Sequence, residues 1–127
     1  VDFAQTVSYR GMMFSGVPNM TWVYGYGRYS WTLRAELVGQ FVCRLLQHMQ
    51  TRKARHMTPM TRPEDADMAL GTWVDAQDLN AGYMLRSLHR LPRRGDKPEW
   101  QHSQDYLYER KALPSVDLTD PLFSYAD

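Results

Sequence analysis

One cysteine, Cys43, stands among the 127 residues of this sequence. A single thiol excludes an internal disulfide and any zinc site built from several cysteines, and it suits a reducing cytoplasm. A surplus of charge is missing too: fifteen Lys and Arg face fourteen Asp and Glu, a formal net charge of +1. That balance removes the electrostatic ground for a nucleic-acid or anionic-membrane partner. No apolar run comes near the roughly 20 residues that cross a bilayer. Val1-Asp2-Phe3-Ala4 has neither the basic start nor the apolar stretch of a secretory signal. The expectation is a cytoplasmic protein with no membrane span and no nucleic acid. Repeats and low-complexity tracts are absent as well. What is present is 43% hydrophobic and 13% aromatic residues, enough for one globular domain or a piece of a larger one.

Residues 6–26 are rich in β-branched and aromatic side chains, cut into short runs by Arg10-Gly11 and by Ser15-Gly16-Val17-Pro18-Asn19. Strands are expected at 7–9, 12–14 and 20–24. The last is apolar enough, through Trp22, Val23 and Tyr24, for burial on both faces in a parallel sheet. Residues 30–50 place Leu37, Val38, Phe41, Val42, Leu45, Leu46 and Met49 at three- and four-residue spacing, which predicts a long helix. Ser30 is its natural N-cap, with a hydroxyl able to accept from the amides of Thr32 or Leu33. Gly39 inside it predicts close approach of another backbone, because glycine in a helix costs about 1 kcal/mol relative to alanine.

Residues 51–80 turn polar, with a basic cluster followed by the acids Glu64, Asp65 and Asp67, and read as an irregular, solvated linker anchored by Trp73. Two shorter helices should follow, over 80–90 with Asn80 as cap and Pro92 as stop, and over 103–113 with Ser103 as cap and Pro114 as stop. Residues 115–127 are expected to lie extended on the surface. The fold class is therefore α+β, mainly helical. Short strands and a long helix occupy 1–50, a linker 51–80, and a helical extension 81–127. Three short strands make no stable sheet alone, so burial against partners or a homo-oligomer is expected.

Gly25-Tyr26-Gly27-Arg28-Tyr29-Ser30 lies between the last apolar run and the long helix, where a G-x-G-x-x-G dinucleotide fingerprint would stand. A helix start offers free N–H groups and a partial positive charge to phosphates or electron-rich carbonyl oxygens. Against the fingerprint, Ser30 replaces the third glycine and no acid follows about 20 residues on to hold a ribose. A plain strand–turn–helix corner is favoured, with a nucleotide-binding half-domain as the lesser alternative. His48, His56, His89 and His102 lack metal-ligand spacing, Cys43 reads as a core thiol, and no G-x-S-x-G elbow is present. No metal site and no catalytic residue is expected.

The run Tyr9-Arg10-Gly11-Met12-Met13-Phe14-Ser15-Gly16-Val17-Pro18-Asn19-Met20, then Val23-Tyr24-Gly25-Tyr26 and Ser30-Trp31-Thr32-Leu33-Arg34-Ala35-Glu36-Leu37-Val38, resembles the C-terminal part of flavin-containing monooxygenases of the Baeyer–Villiger type. Gly82-Tyr83-Met84-Leu85-Arg86-Ser87-Leu88 and the stretch 100–110 resemble the end of the same proteins. The resemblance implies an incomplete piece of an FAD-binding α/β domain with a C-terminal extension. The missing N-terminal part would bind FAD and NADPH, and the whole would insert one oxygen atom from dioxygen into a ketone or onto sulfur in a small organic substrate. Gly25, Tyr26, Ser30, Trp31, Thr32 and Leu33 would then contact the cofactor, the helix start facing the flavin pyrimidine edge. No tightly bound cofactor is expected on the piece alone. A stand-alone homo-oligomeric interaction module without enzymatic activity is the alternative.

Overall fold

Turn chemistry at the start of the chain explains the first sheet. Arg10 and Gly11 both take positive φ, 49° and 69°, and the Met12 amide donates across the turn to the Tyr9 carbonyl at 3.0 Å. The reversal pairs β1 (Ser8–Tyr9) antiparallel with β2 (Met13–Phe14), Ser8 opposite Phe14 and Tyr9 opposite Met13. These elements belong to a computed structural model that describes residues 1–74 and 82–127. Beyond the hairpin, the strand expected at 20–24 does not form, and no parallel sheet is present among the described residues. Asn19, at φ 53°, turns the chain away from β2, and the backbone of Trp22 reaches back through its amide alone, which donates to the Met12 carbonyl at 2.9 Å. The segment is half-buried rather than sandwiched.

The apolar periodicity delivers its helix, α1 (Trp31–Arg52), which buries Arg34, Leu37, Val38, Phe41, Leu45 and Met49. It ends where Lys53 turns left-handed at φ 56°, with the Ala54 amide donating to the Met49 carbonyl at 2.9 Å, a glycine-type stop made by lysine. The buried stripe is narrower than the spacing suggests. Leu46 is 58% exposed, and Cys43, expected in the core, is exposed on the same outer side. Gly39 is exposed as well, and a β-carbon there would meet nothing within 4 Å. The close approach expected at this glycine does not occur.

The segment expected to be an irregular linker contributes β3 (His56–Pro59), which pairs antiparallel with β4 (Phe123–Ala126), His56 opposite Ala126 and Pro59 opposite Phe123. The tail expected on the surface thus closes the core with Leu118, Leu122 and Phe123. The other edge of β3 is occupied by a loop. Gly16 donates to the Pro59 carbonyl at 2.8 Å and Asn19 to the Met57 carbonyl at 2.9 Å, while the Asn19 side chain accepts from the Met57 amide at 2.9 Å.

The shorter helices are α2 (Gly82–Ser87), continued by a 3-10 turn at Leu88–Arg90, and α3 (Tyr106–Ala112), continued by another at Leu113–Ser115. Asn80, expected to cap the first, lies outside the described residues. Asp105 rather than Ser103 caps the second, its carboxylate accepting from the Tyr108 amide at 3.2 Å. The architecture among the described residues is therefore three helices with two small antiparallel sheets, the α+β class expected from the sequence.

A main core joins the hairpin, the inner face of α1, Trp100 and the tail. A second, smaller core gathers Phe14, Val17 and Trp73, with Phe3, Met20, Trp22 and Tyr24 packed around them. Trp73 is 1% exposed and is the anchor its segment was expected to supply. The acids beside it are not all solvated. Asp65 is buried and accepts from the Arg62 Nε at 2.9 Å and the Trp100 indole at 3.0 Å, with Lys97 on its other oxygen. Burial works to raise its pKa, but the hydrogen bonds from Lys97, Arg62 and Trp100 outweigh it and hold the carboxyl well below the usual range. Among the described residues no helix is long and apolar enough to cross a membrane.

Candidate functional site

The first turn of α1 carries no acidic side chain, whereas its last turn carries Arg52. The helix therefore supplies no countercharge of its own to its positive end, while its negative end is complemented. Ser30 sits at the N-cap position, but its hydroxyl makes no cap bond. It pairs instead with the Thr32 hydroxyl at 2.8 Å, and the Leu33 amide is taken by the Ser30 carbonyl at 3.2 Å. The amides of Trp31 and Thr32 precede any intrahelical partner, on residues that are both exposed.

The loop leading into this turn is tightly specified. The Trp31 indole lies where a Gly25 side chain would be: a β-carbon on Gly25 would come within 2.7 Å of the indole Cγ and Nε1. Glycine at 25 is thus a packing requirement of Trp31. Gln104, just before α3, brackets the same loop by accepting from the Gly27 amide at 2.8 Å and donating to the Gly25 carbonyl at 3.4 Å. Tyr26 turns inward, its ring edge-on to Tyr29 at 5.6 Å and to Tyr106 at 6.0 Å. Its buried hydroxyl has no hydrogen-bond partner. Burial first, and then Glu109, push its pKa above the ordinary tyrosine value, so it stays a neutral phenol. Of the six residues singled out in the sequence, Gly25 and Trp31 touch, Ser30 and Thr32 pair, Leu33 is half-buried, and Tyr26 offers the outside only its backbone.

Arg34, in the same first turn, is not among those six and proves to be the most heavily bonded side chain of the site. It is fully buried. Its Nη1 donates to the Tyr24 carbonyl at 2.7 Å and to the Gly11 carbonyl at 3.4 Å, and Nη2 to the Arg10 carbonyl. Nε and Nη2 meet the Glu109 carboxylate of α3 at 3.2 and 3.3 Å. A cation in line with Leu37, Val38 and Phe41 was the available signal, since a charged residue on an apolar stripe requires a buried partner.

Compared with known proteins, the sequence is 38% identical over 113 residues to the FAD-containing monooxygenase EthA of Mycolicibacterium smegmatis, covering 89% of this chain and 22% of that protein. It is 36% identical over 129 aligned residues to the protein of the same name from Mycobacterium tuberculosis, covering 99% of this chain and 25% of that protein. This chain is related to part of the FAD-containing monooxygenases. It spans about a quarter of the length of the curated relatives it matches. No family model and no solved structure matches it.

Of the histidines without metal-ligand spacing, His102 is packed into the fold beside this loop. His102 stacks on Trp73 at 4.5 Å and points Nε2 at the Trp73 carbonyl. Nε2 must carry the proton to donate there, so Nδ1 is a bare, buried nitrogen without a partner. Burial holds its pKa below the usual histidine value. Among the described residues no group of three or more His, Cys, Asp or Glu is placed to hold a metal ion.

Proposed function

We propose that this chain is the FAD-proximal C-terminal part of an NADPH-dependent flavin monooxygenase of the Baeyer–Villiger type, which inserts one oxygen atom from dioxygen into ketones or onto sulfur. The observation that carries the reading is similarity to FAD-containing monooxygenases along 89–99% of the chain. The start of α1 fits an electron-rich ring edge: two exposed first-turn residues, Trp31 and Thr32, bear amides without intrahelical partners, and the helix has no acid of its own in that turn. FAD, when bound, would supply the redox chemistry with NADPH and dioxygen.

The residues of this chain bind and orient. Amides at the α1 start would favour negative charge on a ring held beside them by about 0.3–1 kcal/mol, and by up to about 2 when partly buried. The Trp31 indole, 55% exposed and resting on Gly25, supplies an aromatic wall beside them. Gln104 fixes the Gly27 amide and so holds the loop in register. Tyr26 stays out of the contact with its ring, which is buried on the side of Arg34 and Glu109. Ser30 acts through its backbone carbonyl, not as the hydroxyl cap expected from the sequence.

Two preparations test this. The longer protein that carries the chain should purify yellow, with about one FAD per polypeptide, and oxidise NADPH in response to a ketone or an organic sulfide. The 127-residue chain alone should hold no stoichiometric flavin. A longer protein that neither retains FAD nor responds to either substrate class refutes the reading. A chain that instead forms a stable oligomer, with Trp31, Leu107 and Tyr108 buried in its interface, favours the stand-alone interaction module, since all three are exposed in the structure.

A further inference from the structure

The loop from Gly25 to the first turn of α1 is closed on itself by one side chain. Arg34 lies in that first turn, yet its Nη1 donates at 2.7 Å to the carbonyl of Tyr24, the residue that opens the loop. The same guanidinium holds the Arg10 and Gly11 carbonyls of the hairpin turn and the Glu109 carboxylate of α3. A β-carbon on Gly11 would come within 3.3 Å of this guanidinium and 2.5 Å of the His102 β-carbon, so the turn is packed onto the fork as well as bonded to it. Three separate pieces of chain are thus referenced to one planar group.

We propose that Arg34 is a positioning residue for the redox site, fixing the 25–33 segment, and with it the Trp31 and Thr32 amides, at a set distance from the flavin ring. The proposal rests on the reading that this helix start faces FAD. Arginine suits the task and lysine does not. The five donors of a guanidinium lie in a rigid fork that serves several acceptors at once, whereas an ammonium is a point charge on a flexible stem. Glu109, 3% exposed, supplies the countercharge that lets the fork remain buried.

Arg44 provides the internal control. It lies on the same helix and donates in the same way to the carbonyls of Leu113 and Val116, at 3.0 and 2.9 Å, far from the 25–33 loop. The experiment compares wild type, Arg34→Lys and Arg44→Lys in the longer flavoprotein, reading FAD retention, the flavin absorption spectrum, Tm, and amide hydrogen exchange across 25–33. Arg34→Lys should weaken FAD retention and speed exchange in 25–33 by about tenfold each, the cost of one charge-assisted hydrogen bond. Arg44→Lys should change both less than about twofold, whatever Tm it loses.

If Arg34→Lys does not fold, Glu109→Asp keeps the countercharge and shortens its reach by one methylene, so the fork is loosened but not left unpaired. It should shift retention and exchange the same way by a smaller factor. Equal effects of the Arg34 and Arg44 variants on retention and on 25–33 exchange overturn the proposal. If the wild-type protein holds no FAD, the flavin reading fails, and 25–33 exchange in the same three proteins still decides whether Arg34 sets the loop.

Discussion

Replacing Asp65 with asparagine removes one charge from a buried position and alters almost no volume, so its effect can be worked from the bonds alone. One carboxylate oxygen accepts three donors: the Arg62 amide at 3.2 Å, the Arg62 Nε at 2.9 Å and the Trp100 indole at 3.0 Å. An asparagine oxygen placed there keeps all three, now on a neutral acceptor. Its NH₂ then faces the Lys97 ammonium, which is 37% exposed at its side chain and turns out to water. Each bond that loses its charge assistance gives up about 1 kcal/mol, so the change should cost about 2–3 kcal/mol. That is less than the roughly 3–5 kcal/mol of breaking an isolated buried pair, because Arg62 keeps Glu99 and Asp120. A domain of this size has on the order of 6–19 kcal/mol to lose.

The assay is urea unfolding of the chain at pH 7 and through the acid range. Since the native carboxyl titrates below its unfolded value, near 3.9 for a free aspartate, the native state binds fewer protons. Its stabilising contribution is complete above that value and is lost as pH falls toward the native pKa. Wild type should therefore shed stability below about pH 4 more steeply than Asp65→Asn. A variant within about 0.5 kcal/mol of wild type at pH 7, or parallel acid limbs for the two, refutes the reasoning.

Gly39→Ala should stabilise the chain by about 0.5–1 kcal/mol in the same urea assay, because the site is helical, exposed and open and the glycine has only its entropy to lose. Gly95→Ala should destabilise it by about 1–3 kcal/mol, since the new methyl would come within 2.8 Å of the Trp100 β-carbon and press on Met68. A neutral or raised urea midpoint for Gly95→Ala would show that this corner gives way freely.

How much of this was legible in the sequence varies with how local the cause is. The α1 periodicity is read directly because burial on one face repeats every three or four residues, and Arg10-Gly11 marks a turn through its own backbone preference. β3 is hidden because His56-Met57-Thr58-Pro59 is short, carries a proline and owes its strand to a partner more than 60 residues away. Asp65 reads as solvated among Glu64 and Asp67, and its buried state depends on Lys97 and Trp100, which the local sequence does not announce. At the site, Gly25, Trp31 and the helix start were visible as a corner, and the family resemblance pointed them at a cofactor. Arg34 was not, because three of its acceptors are backbone carbonyls, which leave no trace in a sequence, and the fourth, Glu109, lies 75 residues away; only its place on the apolar stripe hinted at a buried partner.

The pairing of β3 with β4 also fixes an order of events during synthesis. Pro59 leaves the ribosome more than 60 residues before its partner Phe123, a delay on the order of 3–12 s at ordinary elongation rates. Through that interval the hairpin and α1 can meet, and the 16–19 loop can occupy one side of β3. Its other side waits unpaired, next to a core that still lacks Leu118, Leu122 and Phe123. A nascent chain paused in that window presents an open strand above an apolar hollow, the kind of surface that chaperones protect and that neighbouring nascent chains can capture.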